Sequence, residues 1–301
     1  MPSPQTNEYR AAREAVAWAD LSAREQLEVT GPDRVSYLQG MVTNDVEKLA
    51  VGGSCYAAVL TPKGAMVGDV RVLKLAESLV VDTGPGFGEP LAAFLNKYLI
   101  SEEAEVVPAP RYAVVALVGP QAAALQATLP GGAVVGTLQP LGAPGLDAVV
   151  LREQLDAVRA ALAAVPKLND ETLEVLRVES GAPRFGRDMT EHTIPLEANL
   201  EHAINYQKGC YIGQEVIARG TYRGQMNKRL VGLLLGDATP EPGVELRKAD
   251  KKVGWLTSVV RSPLKGQQVA LGYVHRDHLA AGTELELAGG GKALVCALPF
   301  A

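Results

Sequence analysis

Leu27-Glu28-Val29-Thr30-Gly31-Pro32, running on into Asp33-Arg34-Val35-Ser36-Tyr37-Leu38-Gln39, reads as a short strand, a Gly-Pro turn and a helix with Pro at its first position. The missing N–H costs nothing there. The pattern returns 88 residues later, where Ala116-Leu117-Val118-Gly119-Pro120 is followed by Gln121-Ala122-Ala123-Ala124-Leu125-Gln126. After the first copy come β-rich segments at Tyr56–Leu60, Met66–Leu75 and Leu79–Val81, then a helix over Glu89–Leu99. After the second come Ala133–Leu138, Ala148–Leu151 and a helix over Glu153–Val165. Strand, helix, strands, helix, twice over, predicts an α+β core of two related antiparallel-sheet lobes, roughly 20–105 and 110–227, with helices on one face of each.

A further helix is expected from an N-cap at Asn169 or Asp170, with Glu171 and Glu174 in its first turn, Leu173, Leu176 and Val175 inward, and Gly181 as its stop. Past Lys228-Arg229 the character changes. Leu230–Leu235, Val253–Val260, Val269–Val274, Thr283–Leu287 and Ala293–Leu298 are short strands separated by Gly, Pro and Asp turns, with no long helix. That spacing predicts a small β-barrel or sandwich. The chain therefore divides into a bilobed core, 1–227, and a β module, 228–301.

The 301 residues carry 29 Lys+Arg against 34 Asp+Glu, a net charge of −5, and 47% hydrophobic residues. Such a chain has enough apolar content for substantial cores, which excludes disorder as its main state. Its three cysteines, Cys55, Cys210 and Cys296, are too few for a secreted disulfide scaffold and fit a reducing compartment. Residues 1–10 lack the apolar core of a signal peptide, so a cytoplasmic location is expected. Tyr112 to Leu146 holds 35 residues without a charge, but Pro and Gly interrupt it too often for a membrane span, which takes about 20 apolar residues.

Gly84-Pro85-Gly86-Phe87-Gly88 has the wrong spacing for a dinucleotide loop, and Glu89 stands where a pyrophosphate would sit. His275-x-x-His278 lacks the context of a hydrolytic zinc site, and there is no C-x-x-C, P-loop or G-x-S-x-G. No metal site is expected. From Arg177 to Arg229 eight Lys/Arg face six Asp/Glu, a locally basic stretch, but few aromatics interleave to stack bases. An anionic small ligand suits this stretch better than direct nucleic-acid binding.

Two segments concentrate chemistry. In Arg177-Val178-Glu179-Ser180-Gly181-Ala182-Pro183-Arg184-Phe185-Gly186, Glu179 falls in the last helical turn, where a carboxylate opposes the macrodipole at a cost of roughly 0.3–1 kcal/mol. It either pairs with Arg177 or Arg184, or accepts two N–H bonds from an amino-heterocycle edge such as a pterin. In Lys208-Gly209-Cys210-Tyr211-Ile212-Gly213-Gln214-Glu215, Cys210 precedes an expected helix and lies two residues from Lys208, an environment that favours thiolate. The alternative is a small buried hydrophobe.

The Lys208–Glu215 string, with Arg177-Val178-Glu179-Ser180-Gly181 and Ile194-Pro195-Leu196-Glu197 upstream, resembles the signature region of the YgfZ-type folate-binding proteins, relatives of the glycine-cleavage T-protein (aminomethyltransferase). The likeness extends over nearly the whole chain, from Val29-Thr30-Gly31-Pro32 and Thr43-Asn44-Asp45-Val46 to Val253-Gly254 and Thr257-Ser258. It implies a bilobed folate-binding core with a C-terminal β-barrel around a central channel for tetrahydrofolate or a derivative. Glu179 matches the family's pterin-contacting glutamate. Cys210 matches the cysteine on which YgfZ-type proteins depend in supporting iron–sulfur cluster assembly or repair, with effects on tRNA thiomethylation. The T-protein carries Asp-Asp after a Gly-rich turn, the first being catalytic, whereas this chain reads Lys63-Gly64-Ala65-Met66-Val67-Gly68-Asp69. Gly68 falls on the catalytic position, and Asp69 is the carboxylate that remains.

The expectation is a tetrahydrofolate-binding protein that assists iron–sulfur assembly and meets its machinery or client proteins, with one-carbon or aminomethyl transfer as the alternative. Glu179 and Asp69 would face the folate, Arg223, Lys228 or Arg229 would meet its glutamate tail, and Cys210, with Lys208 beside it, would be the reactive thiol.

Overall fold

The computed structural model describes residues 7–130, 134–136, 144–223 and 226–300. A helix α1 (Asn7–Glu14) and a strand β1 (Ala17–Asp20) precede the first lobe, whose elements are β2 (Glu25–Thr30), α2 (Arg34–Met41), β3 (Ser54–Leu60), β4 (Met66–Lys74), β5 (Leu79–Thr83), α3 (Gly88–Lys97) and β6 (Glu105–Pro108). The second lobe has β7 (Tyr112–Val118), α4 (Ala122–Leu125), β8 (Val134–Gly136), β9 (Gly145–Leu151) and α5 (Leu155–Ala161). The outer residues of the expected strand Ala133–Leu138, and the breaks at Gly131, Gly132 and Pro140, lie outside the described residues.

Both lobes are antiparallel sheets, in the orders β3-β4-β5-β2-β6 and β1-β7-β9-β8. The echo is physical as well as sequential. Gly31 and Gly119 both adopt positive φ, +96° and +129°, and a Cβ on either would fall 2.2 Å from Glu103 O or 2.5 Å from Ala15 O. Only glycine lets the chain turn there with another backbone so close. The lobes also exchange edges: β1, which leads into β2, pairs with β7, and β6, which leads into β7, pairs with β2. Their first sheet buries Leu27, Val29, Val70, Val72, Leu79 and Val81 against Leu38 of α2 and Leu95 of α3. Each such side chain contributes about 1.5–3 kcal/mol.

After α6 (Asp170–Glu179), capped by the Asn169 side chain on Thr172 N, the chain returns to the first lobe, where Leu196, Ala198 and Leu200 pack on Ala58, Leu60 and Met66. It then forms α7 (Gln214–Arg223). The C-terminal module is a closed six-stranded barrel, β10 (Lys228–Gly236), β11 (Glu245–Lys248), β12 (Lys251–Ser262), β13 (Gln267–His275), β14 (Glu284–Leu287) and β15 (Lys292–Cys296), in the order β10-β13-β12-β11-β14-β15. Sequence patterning overlooked β11, because Glu245-Leu246-Arg247-Lys248 buries only Leu246. A β-bulge between Leu256 and Ser258 interrupts β12. Thr257 and Ser258 both donate to Asp188 Oδ1, at 2.5 and 2.7 Å, fastening the barrel to the segment after α6, whose Asp188 also pairs with Arg177. No helix among the described residues is long and apolar enough to cross a membrane.

Candidate functional site

A cavity of about 1520 Å³ lies between the first sheet, α6 and the barrel. Asp69, Arg71 and Tyr56 come to it from the sheet, Glu174 and Arg177 from α6, and Cys296 from the barrel. The pleat decides which residues of β4 reach it. Asp69 pairs with Ala58 and Arg71 with Tyr56, on one face of the sheet, whereas Gly68 pairs with Val59 on the face packed against the helices. The carboxylate of β4 that meets the cavity is thus Asp69, one residue past the position the family pattern indicates.

Tyr56 stands diagonally across the strand pair and donates its hydroxyl to Asp69 Oδ2 at 2.8 Å. Burial, with the Asp69 charge and hydrogen bond added, pushes the phenol well above its usual range, so it stays a neutral donor. The His202 ring stacks on Tyr56, 5.6 Å between centroids and 12° from parallel. Arg71 is held away from Asp69 by a buried network. It bridges to Asp147 of β9 at 2.5 Å and to Asp82 at 3.5 Å, while Arg24 also pairs with Asp82. This network forms the seam between the lobes beside the cavity. Burial lifts the Asp147 carboxyl to about 6, against the pull of Arg71.

Several expected residues lie elsewhere. Glu179 is 1% exposed and does not line the cavity. Its carboxylate accepts from Tyr9 OH at 2.7 Å, Ser262 Oγ at 2.6 Å and Leu264 N at 3.3 Å, and it pairs with Arg13 at 3.5 Å. It ties α1 and the β12–β13 turn to α6, and a pterin contact at this residue would have to displace these partners. The α6 carboxylates on the cavity are Asp170 and Glu174, the latter gripped by Arg177 through Nε at 2.9 Å and Nη2 at 2.6 Å.

The Lys208 ammonium does not serve Cys210. Buried, it donates to Gln39 O, Val42 O and Asn44 O, each at 2.7 Å, closing the C-terminal end of α2. Burial draws it down to about 8. The thiol that its charge reaches is Cys55, which burial nonetheless raises to about 12. Cys210 itself is exposed and lies outside the cavity lining. Its loop is rigid: Ile212 N bonds Gly40 O at 3.0 Å, and Gly213, at φ +85°, leaves no room for a Cβ, which would sit 2.7 Å from Thr61 O. Cys296 lines the cavity, its thiol raised to about 11 by burial.

Lys228 is turned away from the cavity, with its ammonium 5.1 Å from the Trp255 ring and 3.5 Å from Glu197. Arg229 does line it, held at its mouth by Asn199 at 2.5 Å and by Glu201. Arg223 ends α7, and its side chain lies outside the described residues. Tyr56, His202, Arg71, Glu174 and Arg184 also line the cavity and escaped the sequence reading. For Tyr56 a signal existed, because it alternates with Ala58 and Leu60 opposite the Asp69 strand.

Comparison with known proteins agrees with this architecture. Residues 2–135 match the model of the GCVT N-terminal domain, and residues 228–301 that of the glycine cleavage T-protein C-terminal barrel domain. An aminomethyltransferase of Symbiobacterium thermophilum is 30% identical over 95% of this chain and 86% of its own length. A second, from Halalkalibacterium halodurans, is 27% identical over 92% and 84%, and a putative chloroplastic transferase of Arabidopsis thaliana is 27% identical over 95% and 71%. The crystal structure of glycine cleavage system aminomethyltransferase T from Bartonella henselae superimposes with a TM-score of 0.88 at 24% identity, covering 100% of this chain and 91% of that one, a likeness of fold. With both of its sheet lobes, its closed barrel and these relatives matched over most of their length, the chain belongs to the glycine-cleavage T-protein (aminomethyltransferase) family.

Proposed function

We propose that this protein binds tetrahydrofolate in the central cavity and takes part in one-carbon transfer of the aminomethyltransferase kind. The observation that carries the reading is Asp69, a carboxylate on the cavity wall with a neutral tyrosine on one oxygen. The residues present fit a reduced folate. The cavity is large, one wall offers the Tyr56–His202 aromatic pair beside a carboxylate, and another offers arginines for an anionic tail. Tetrahydrofolate, when bound, supplies the ring nitrogens that accept a one-carbon unit. Asp69 holds or accepts a proton at Oδ1, which has no hydrogen bond within the protein among the described residues, while Tyr56 fixes the carboxylate through Oδ2. The test is titration with tetrahydrofolate together with a transfer assay on wild type and Asp69→Asn. Binding should survive within a few-fold, and transfer should fall by about 10²–10⁴. An Asp69→Asn variant as active as wild type, or a wild type that binds no tetrahydrofolate, refutes the reading.

A narrower reading within the family follows from the Lys208–Glu215 string: a YgfZ-type protein that supports iron–sulfur cluster assembly or repair, and through it tRNA thiomethylation. The observation favouring it is the exposure of Cys210 on a rigid loop outside the cavity. No group of three His, Cys, Asp or Glu side chains that could hold a metal is found among the described residues, so this role would rest on one surface thiol offered to a partner. Replacement of Cys210 by Ala in cells tests it: cluster-enzyme activity should drop, and normal activity removes the thiol role while leaving folate binding intact.

A further inference from the structure

The arginine–carboxylate network of the lobe seam borders a second, much smaller cavity between the two sheets. The first lobe lines it with Ser54, Arg71 and Asp82, the second with Asp147, and a leucine and three valines close the remaining walls. About 10 Å³ is open to the centre of a water-sized sphere, enough for one water molecule. Two polar atoms of this lining, Ser54 Oγ and Asp147 Oδ1, are buried and have no hydrogen-bond partner among the described residues, each other included. Asp147 is 2% exposed, and its other oxygen accepts from Arg71. A hydroxyl and a carboxylate oxygen both give up bonds to bulk water when they are buried, and folded interiors almost always replace them.

The charges around the small cavity specify its guest. Arg71 of β4 and Arg24, ahead of β2, face Asp82 of β5 and Asp147 of β9, two cations against two anions. Gln26 of β2 adds a neutral donor to Asp82 Oδ1. The network has no net charge with which to hold an ion. With a hydroxyl and a carboxylate oxygen both unpaired, it calls for a small neutral molecule that donates and accepts, and water meets both conditions. Ser54 and Arg71 also line the central cavity, so a water here stands between the seam carboxylate and the large cavity. Burial pushes the Asp147 carboxyl toward its neutral form, and a hydrogen bond donated to Oδ1 opposes that push.

We propose that this small cavity is a one-water site, in which a single water donates to Asp147 Oδ1, hydrogen-bonds the Ser54 hydroxyl and links the seam carboxylate of the second lobe to the wall of the central cavity. The inference is independent of the ligand that the central cavity takes. A high-resolution crystal structure of the full-length wild type tests it without any variant. Water density should stand within about 2.6–3.2 Å of both Ser54 Oγ and Asp147 Oδ1. A dry cavity, or a direct hydrogen bond between the two side chains, overturns the site. Ser54→Val supplies a second test, because it puts a methyl group in place of the hydroxyl and fills the space. Oxygen-17 relaxation dispersion should count one more long-lived internal water in wild type than in Ser54→Val. The Asp147 carboxyl carbon, followed by NMR, should titrate at a higher pH in the variant than in wild type, because the ionised form has lost a donor. An equal water count, or an Asp147 titration that does not move, overturns the link between the water and this carboxylate.

Discussion

Glu179→Ala removes a carboxylate shared by three separate segments: Tyr9 and Arg13 of α1, Ser262 at the end of β12, and the Leu264 backbone in the following turn. Tyr9 OH and Ser262 Oγ, both on buried residues, lose their acceptor, and each stranded buried donor costs about 1–3 kcal/mol. Leu264 is 42% exposed, so its N–H can turn to water instead. Arg13 is one-third exposed and loses little. The expected loss is about 3–5 kcal/mol, in the range for breaking a buried ionic network by removing one partner. Glu179→Gln keeps an acceptor for Ser262 and Leu264 and should cost only about 1 kcal/mol. Thermal unfolding should show the alanine variant melting on the order of 10 °C lower, with α1 cut earlier by protease, while the protein still folded at low temperature keeps its tetrahydrofolate affinity. A variant that melts with wild type yet no longer binds tetrahydrofolate refutes the reasoning and returns Glu179 to the ligand.

Lys208→Met leaves three carbonyls at the end of α2 without their donor and should cost about 3 kcal/mol in urea unfolding; a loss below about 1 kcal/mol would mean that water replaces the ammonium freely. Asp147 gives a pH signature. Its folded pKa of about 6 stands above the ordinary 3.8, so the stability it contributes is complete below about pH 4 and is lost as pH rises through 6. Asp147→Asn should flatten unfolding free energy against pH between about 4 and 7, and a slope equal to that of wild type would show that the lobe seam does not titrate there.

The fold was legible because its signals are local. The repeated Gly-Pro turns answer to two glycines with positive φ and backbone at contact distance, and the barrel to short strands between turn residues. What local reading missed depends on partners far along the chain. β1 has nothing to pair with until β7 arrives, and the edge exchange with β6 is invisible in either segment alone. The site divides the same way. Asp69 is the carboxylate left in the matching segment, but its place on the cavity face follows only from its pairing with Ala58. On α6, Glu179 and Glu174 are five residues apart, about 140° around a helix. With Val175, Leu176 and Val178 buried as well as Glu179, no apolar stripe reveals which of the two carboxylates meets the cavity. Lys208 was read as an activator from its place in the string two residues before Cys210. The chain between them turns the two side chains apart, and the carbonyls that hold the ammonium lie some 165 residues away.

The most direct measurement is a crystal structure of the protein with tetrahydrofolate. The pterin should occupy the central cavity beside Tyr56 and His202, with an Asp69 oxygen within about 3.2 Å, or one bridging water, of a ring nitrogen. A pterin bound elsewhere, or one in the cavity that leaves Asp69 beyond that reach, would contradict the assignment of this cavity as the site of one-carbon chemistry.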